Sequence, residues 1–311
     1  MPPESTVIIA ANPKSGARSG LGLASALRDA LERRGYVAEL FTDVDDMARR
    51  AQASRREGTL RTVVSAGGDG TASLVLSKIP AATPLTLFPL GSENLAAKYF
   101  GMTSRVDETV LRIDRLRTEP LDLFLANGRL TLLVASVGFD AEVVRQVHEN
   151  RQSHVNRTAY HRGILRTMFR YQWPRFQVRF LAPDGAWGEA IEGNWVFAFN
   201  VPRYAAGIRI IESASISDGL LDVGLFRGGG LCRALLNYAM VVAGVHQRAP
   251  SWRRFQTSGL RVELASRDAP AGQPAEDRDV AFQIDGDPGG FLPLEVVYSG
   301  RKAMIVSGNG S

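Results

Sequence analysis

Cysteine is almost missing: Cys232 is the only one among 311 residues, so no internal disulfide can form, and such sparing use suits a reducing compartment. Long hydrophobic runs are missing too. The most apolar stretch, "ALLNYAMVVAGV", is far shorter than the ~20 residues that cross a bilayer. The opening "MPPESTVIIAANPKSG" has no basic leader region and only five apolar residues in a row. A cytoplasmic protein without a membrane span is therefore expected. Lysine is scarce, four against 33 arginines. Histidine is equally scarce. His148, His154 and His161 lie close in sequence, but no HExxH or Cys/His spacing accompanies them, so no zinc site is expected. No GxSxG elbow, no Walker A pattern and no Rossmann glycine spacing occur.

The composition that is present, 45% hydrophobic and 22% charged, is that of a globular chain. The formal charge of +5 is unevenly spread: between Arg145 and Arg179 there are eight arginines and a single acid, Glu149. Arg162, Arg166 and Arg170 recur every fourth residue and would form a stripe on a helix that ends in Phe169, Tyr171 and Trp173. Such a stripe suits an anionic membrane surface, where each cation contributes ~1 kcal/mol. The plainer reading is a solvated helix face.

Residues 1–120 alternate apolar bursts with helical periods, the pattern of a doubly wound α/β domain on a parallel sheet. "TVIIAANP", "VAELFT", "RTVVSAGG" and "PLTLFPLG" read as strands. "GLASALRDALERRG" reads as a helix with Leu23, Leu27 and Leu31 on one face, closed by Gly35. From Pro120 the rhythm becomes short strands with turn residues. Hairpins are expected around Asn127-Gly128 and Asp184-Gly185, so residues 121–299 should form a second, mainly antiparallel β-sandwich domain. One helix is expected there, "LCRALLNYAMVVAGVH", and a loop over "RDAPAGQPAEDRD". Asp140 in "GFDA" reads as a helix cap. The closing "LEVVYSGRKAMIVSG" either ends that sheet or returns residues 300–311 to the first domain.

Chemistry is concentrated in three turns. In "SAGGDGTAS", glycines between a strand and a helix let backbone N–H groups approach an anion, aided by the helix N-terminus. Phosphate is the natural guest. Asp69 would repel bare phosphate, so its presence implies a cation, a ribose hydroxyl or a proton to remove. "NPKSGARSG" places Asn12, Lys14, Ser15 and Gly16 after another strand, and "FPLGSENLAAKYFG" places Gly91, Ser92 and Asn94 after a third. All three fall on the C-terminal edge of the sheet, where open α/β sheets take ligands.

In this order the turns resemble the diacylglycerol kinase catalytic family, in its soluble bacterial branch of lipid kinases, which also contains sphingosine kinases and is more distantly related to NAD kinases. The matching stretches are Asn12–Gly16 for NPxSG, Gly67–Thr71 for GGDGT, and "PLGSENLAAKYFG" for PLGTGNDFAR. The likeness continues through "VGFDAEVV", "SISDGLLDVGLF", the helix ending "GVH" at His246, and "IDGD" at Ile284.

That resemblance implies an ATP-dependent, Mg²⁺-requiring kinase acting on a hydroxyl of a diacylglycerol-like or sphingoid lipid. The alternatives are a kinase of a soluble hydroxyl compound, as NAD kinases are, and a non-catalytic nucleotide- or lipid-binding homologue. It implies nucleotide contacts from Asn12, Pro13, Lys14, Ser15, Gly16, Thr42, Gly67, Gly68, Asp69, Gly70, Thr71, Ala72, Ser73, Ser92 and Asn94. Asp285 and Asp287 become candidates for the base that takes the lipid hydroxyl proton, with Asp69 at Mg²⁺ or at the hydroxyl. A structural Mg²⁺ would be held by Asp218 and the carbonyls of Ser215 and Leu220. The expected partners are ATP, a lipid substrate and, transiently, an anionic membrane surface met from the cytoplasmic side. No nucleic acid is expected, and a homodimer is left open. The sequence departs from the family at Glu93, where the family has Gly, at Leu95, where it has Asp, and at Asp287, where it has Glu.

Overall fold

The structure, a computed structural model, describes residues 5–13, 20–149, 167–204, 210–211, 214–265 and 280–308. Lys14, Ser15, Gly16, Arg162, Arg166 and the expected loop at 267–279 lie outside the described residues. The chain divides into two compact units, Met1–Leu123 with Gly300–Ser311, and Phe124–Ser299.

The first unit is built on parallel strands. β1 (Thr6–Ala11) lies between β2 (Val37–Phe41) and β3 (Leu60–Gly67), and β3 pairs in parallel with β4 (Pro84–Pro89). β1 and β4 are apolar along their lengths because helices cover both faces of a parallel sheet. α1 (Gly20–Arg33) buries Ala24, Leu27 and Leu31. It stops at Gly35, whose φ of +95° suits a residue without Cβ, and the Tyr36 N–H closes on the Leu31 carbonyl at 3.1 Å. α2 (Val44–Arg56) starts from Asp43, whose carboxylate accepts the N–H groups of Asp45 and Asp46. α3 (Asp69–Lys78), α4 (Leu95–Tyr99) and α5 (Val106–Arg115) follow. Leu27, Leu31, Val7, Ile9, Val64, Phe88 and Ile113 share one core, and each fully buried aliphatic side chain contributes about 1.5–3 kcal/mol.

The second unit is a sandwich of antiparallel layers. β5 (Thr118–Ala126) enters it and turns back into β6 (Arg129–Thr131). The turn is Asn127-Gly128 with φ of +47° and +79°, the primed type that matches strand twist. One layer has the order β12 (Trp252–Thr257), β11 (Leu221–Phe226), β10 (Trp195–Phe199), β7 (Val134–Gly138), β14 (Ala281–Ile284) and β15 (Asp287–Phe291). The other contains β13 (Gly259–Leu264), β8 (Phe176–Phe180) and β9 (Ile191–Gly193). Val137, Val196, Val223 and Phe282 of the first layer and Phe176, Val178, Leu260 and Val262 of the second form one core.

β8 and β10 are not partners. The expected hairpin forms at Asp184-Gly185, where the chain turns back through the Leu181–Trp187 bridge and pairs with β8 over β9, but it then passes through Asn194 into the other layer. β16 (Leu294–Val306) pairs with β13 through Leu294–Val297 and with β4 at Met304 and Ile305. Among the described residues the second unit holds more helix than the one expected: α6 (Phe139–Glu149), α7 (Leu231–Val242), a helical stretch at 167–170 and a 3-10 turn at His246–Arg248. Asp140 is no cap. It sits inside the first turn of α6, where its carboxylate accepts hydroxyl donors from Ser136 and Tyr204 in the interior.

Candidate active site

β1, β3 and β4 end side by side, with Ala11 opposite Ala66 and Gly67 opposite Pro89, so the turns that follow them meet. They meet by backbone. A Cβ on Gly91 would lie 2.6 Å from the Gly68 Cα, and one on Gly67 would lie 2.3 Å from the Thr71 Oγ1. These glycines are therefore fixed by close approach and not only by conformational freedom. The Asn12 Nδ2 donates to Thr71 Oγ1 at 3.2 Å and ties the first turn to the second.

Asn94 ties the third turn to itself. Its backbone is left-handed (φ +48°), its Oδ1 accepts the Gly91 N–H at 3.0 Å, and its Nδ2 donates to the Gly91 carbonyl at 2.6 Å. Asparagine is one of the few residues that take this conformation cheaply.

Asp69 then joins the second turn to the third. Its Oδ2 accepts the Leu95 N–H at 2.8 Å and its Oδ1 the Ala96 N–H at 3.0 Å. The carboxylate caps α4 across 26 residues of sequence. Burial pushes the Asp69 carboxyl above the usual carboxylate range, against the pull of the two N–H groups and Lys98. At the start of α3 the first N–H groups have no partner within the helix, as at any helix N-terminus. Ser92, Pro13 and Thr42 are exposed, Thr42 just beyond β2 on the same sheet edge. Ser73 is half-buried and Ala72 buried within α3. Glu93 points to solvent, with its carboxylate 3.4 Å from the Lys98 ammonium.

In the second unit Asp285 and Gly286 form the turn between β14 and β15, with φ of +53° and +88°. The Asp285 carboxylate accepts three backbone N–H groups, from Leu132 at 2.8 Å, Leu133 at 2.8 Å and Val134 at 3.1 Å. Asp287 is half-exposed and lies 3.2 Å from the Arg129 guanidinium. Beneath this turn runs a buried polar chain. The Gly286 N–H donates to Gln283 Oε1 at 2.7 Å, Gln283 Nε2 donates to Ser136 Oγ at 2.9 Å, and the Ser136 hydroxyl donates to Asp140. Burial raises the Asp140 carboxyl, opposed by the Ser136 and Tyr204 hydroxyls. Gln283 and Ser136 belong to no motif and stand 147 residues apart, so only the fold brings them together.

Asp218 lies in a turn after Ser215, and its Oδ1 accepts the Leu220 N–H at 3.0 Å. Among the described residues no group of three or more His, Cys, Asp or Glu side chains is gathered for a metal. Arg170 is exposed at the end of a helical stretch, 167–170. No described helix is long and apolar enough to cross a membrane.

A parallel sheet whose glycine turns interlock, followed by an antiparallel sandwich, defines a kinase of two parts. The diacylglycerol kinase catalytic domain matches residues 6–126, and the YegS C-terminal NAD kinase beta sandwich-like domain matches residues 133–305. The chain belongs to the diacylglycerol kinase catalytic-domain family, in the lipid kinase branch that carries the YegS-type sandwich. It is 28% identical over 301 residues to the "Diacylglycerol kinase" of Mycobacterium tuberculosis H37Rv, covering 92% of this chain and 89% of that one. It is also 28% identical over 260 residues to a Pseudomonas aeruginosa protein named "Probable lipid kinase YegS-like", covering 80% and 82%. Among solved structures, a diacylglycerol kinase from Bacillus anthracis shares the fold with a TM-score of 0.63 at 19% identity, over 98% of this chain and 97% of that one. An NAD kinase from Archaeoglobus fulgidus in complex with ATP gives a TM-score of 0.50 at 13% identity, over 97% and 92%.

Proposed function

We propose that the protein transfers the γ-phosphate of ATP to a hydroxyl of a diacylglycerol-like or sphingoid lipid. The observation that carries this reading is the backbone contact of Gly68 with Gly91, which gathers two glycine turns and the N-terminus of α3 into one donor-rich edge. Phosphoryl transfer asks a protein chiefly to hold phosphates in line and to offset charge, and a backbone basin does both. The first unit takes the nucleotide, through Asn12–Gly16, Thr42, Gly67–Ser73, Ser92 and Asn94. The second unit takes the lipid.

Asp69 has the features of a general base. Two N–H groups fix its orientation, and its burial raises its affinity for a proton. The Asp285 oxygens fasten Leu132–Val134 to the turn, which gives Asp285 a positioning role, and Arg129 steadies Asp287. Mg²⁺ asks for one or two carboxylates with water and phosphate oxygens completing its shell. The single carboxylate of Asp218 with the carbonyls of Ser215 and Leu220 fits such an ion in a structural role. At the phosphates the ion would supply charge neutralisation. Arg170, with Arg162 and Arg166, meets an anionic membrane, and the protein works from the cytoplasmic side of it.

The test incubates purified protein with labelled ATP, Mg²⁺ and either a lipid extract or NAD. Label is expected in the organic phase. Label only in the aqueous product would replace the lipid by a soluble hydroxyl compound, and label in neither would end the reading.

A further inference from the structure

A basic surface lies in the second unit, between the "SISDGLLDVGLF" stretch and the end of the helix that closes in "GVH". Between Asp222 and Glu263 the chain carries six arginines and no acid. Arg254 pairs with Asp222 and Arg261 with Glu295, whereas Arg227, Arg233 and Arg248 have no carboxylate partner among the described residues. Arg227 and Arg233, with Arg175, line a cavity of about 590 Å³ in the second unit. Glu192 also lines it, 3.9 Å from Arg175.

The cavity is built at the mouth of α7. Gly228 and Gly230 are left-handed in φ, at +83° and +103°, and a Cβ on Gly228 would meet the Arg233 Nη1 at 2.1 Å. The guanidinium therefore lies over the glycine turn. Asn237, only 4% exposed, lines the same cavity. Its Oδ1 accepts the Ser251 hydroxyl at 2.8 Å, while its Nδ2 has no partner among the described residues and remains a donor for an incoming oxygen.

The helix beyond this mouth is inverted for a surface helix. It buries Ala234, Asn237 and Val241, and it exposes Cys232, Leu236, Ala239 and Val242 along one face. Leu236 is 57% exposed and Val242 59%, with Val245 following. Arg233 is the only charge on the helix. An apolar face that opens between unpaired cations, next to a cavity of buried and exposed donors, is complementary to lipid: tails against the face and the anionic head group in the cavity.

We propose that α7 and the Arg227–Arg233 turn form a docking site for an anionic phospholipid bilayer. This goes beyond the kinase reading, because docking needs no ATP and no turnover.

Flotation of the full chain without nucleotide tests it, using vesicles of phosphatidylcholine alone and of phosphatidylcholine with phosphatidylglycerol. The wild type is expected to float with the anionic vesicles only. R227Q/R233Q is expected to weaken binding about thirtyfold, the loss of two cations at ~1 kcal/mol each. L236S/V242S is expected to weaken it at least tenfold, and R227K/R233K to retain it. Equal flotation of R227Q/R233Q and wild type overturns the proposal, and so does equal binding to both vesicle types. Saturable binding of inorganic phosphate by the wild type with no flotation also overturns it, in favour of a soluble anion. Circular dichroism of each variant separates lost docking from lost folding, and the lysine pair keeps the test open if the glutamine pair does not fold.

Discussion

Asp69 and Asp285 sit in similar words of sequence, GGDG and IDGD, yet their turns are built on opposite terms. Both carboxylates spend their oxygens on backbone N–H groups of a distant segment, Asp69 on two and Asp285 on three. The glycines beside them differ. Gly67 and Gly91 are pressed against neighbours that a Cβ would strike, whereas a Cβ on Gly286 would meet nothing within 4 Å. Gly286 is there for its φ of +88° alone. Close approach leaves no space for side chains between the turns, while a left-handed turn merely reverses a strand. The first arrangement brings two turns together by backbone and the second holds a carboxylate in place.

The largest effect expected on this comparison is that of Asp69→Asn. Loss of a general base costs about 10²- to 10⁴-fold in rate, and the amide can satisfy only one of the two N–H groups of α4. Label transfer to lipid should fall by that factor while the melting temperature drops modestly. Full activity in the variant would remove Asp69 from the reaction. Next comes Gly91→Ala. The obstructing atom is the Gly68 Cα, which cannot rotate away, so overpacking of about 1–3 kcal/mol is expected in chemical denaturation, with weakened ATP binding. Unchanged affinity would show that the two turns are free to separate.

Asp285→Ala should cost more stability, up to several kcal/mol, without the same chemical penalty. It strands N–H groups of Leu132, Leu133 and Val134, each costing about 1–3 kcal/mol unless water reaches it. If Asp285 only positions the turn, KM for lipid should rise more than kcat falls, and the reverse split would make it the base. Gly286→Ala should then be milder, about 1–2 kcal/mol for a left-handed alanine with open space around it.

The parallel sheet and its turns were legible because their signals are local: apolar bursts, the glycine closing α1 and the asparagine-glycine turn after β5 each act within a few residues. The sandwich was legible only as a class. Which layer a strand joins depends on partners far away, so the hairpin expected around Asp184-Gly185 does not reveal that Asn194 sends β9 and β10 to different layers. Asp140 misled for the same reason. A carboxylate near a helix start resembles a cap until the fold places Ser136 and Tyr204 against it. The candidate site divides likewise, since its residue types were visible in the motifs, but the Gly68–Gly91 contact and the Asp69 cap on α4 connect segments more than 20 residues apart.

The smallest effect is expected at the residue that departs most from the family pattern. Glu93 stands in the third turn where the family has glycine, but its side chain runs outward to Lys98 with both groups about half-exposed. An exposed pair of this kind contributes about 0–1 kcal/mol, and salt screens it further. Turn geometry comes instead from Asn94, whose two hydrogen bonds to Gly91 bypass position 93. Glu93→Gln should therefore leave stability within about 0.5 kcal/mol and kcat/KM for lipid within about threefold, whereas Asn94→Ala should lower both. A tenfold change in lipid preference from Glu93→Gln would bring that carboxylate into the site, and the turn would then select a head group as well as hold a phosphate.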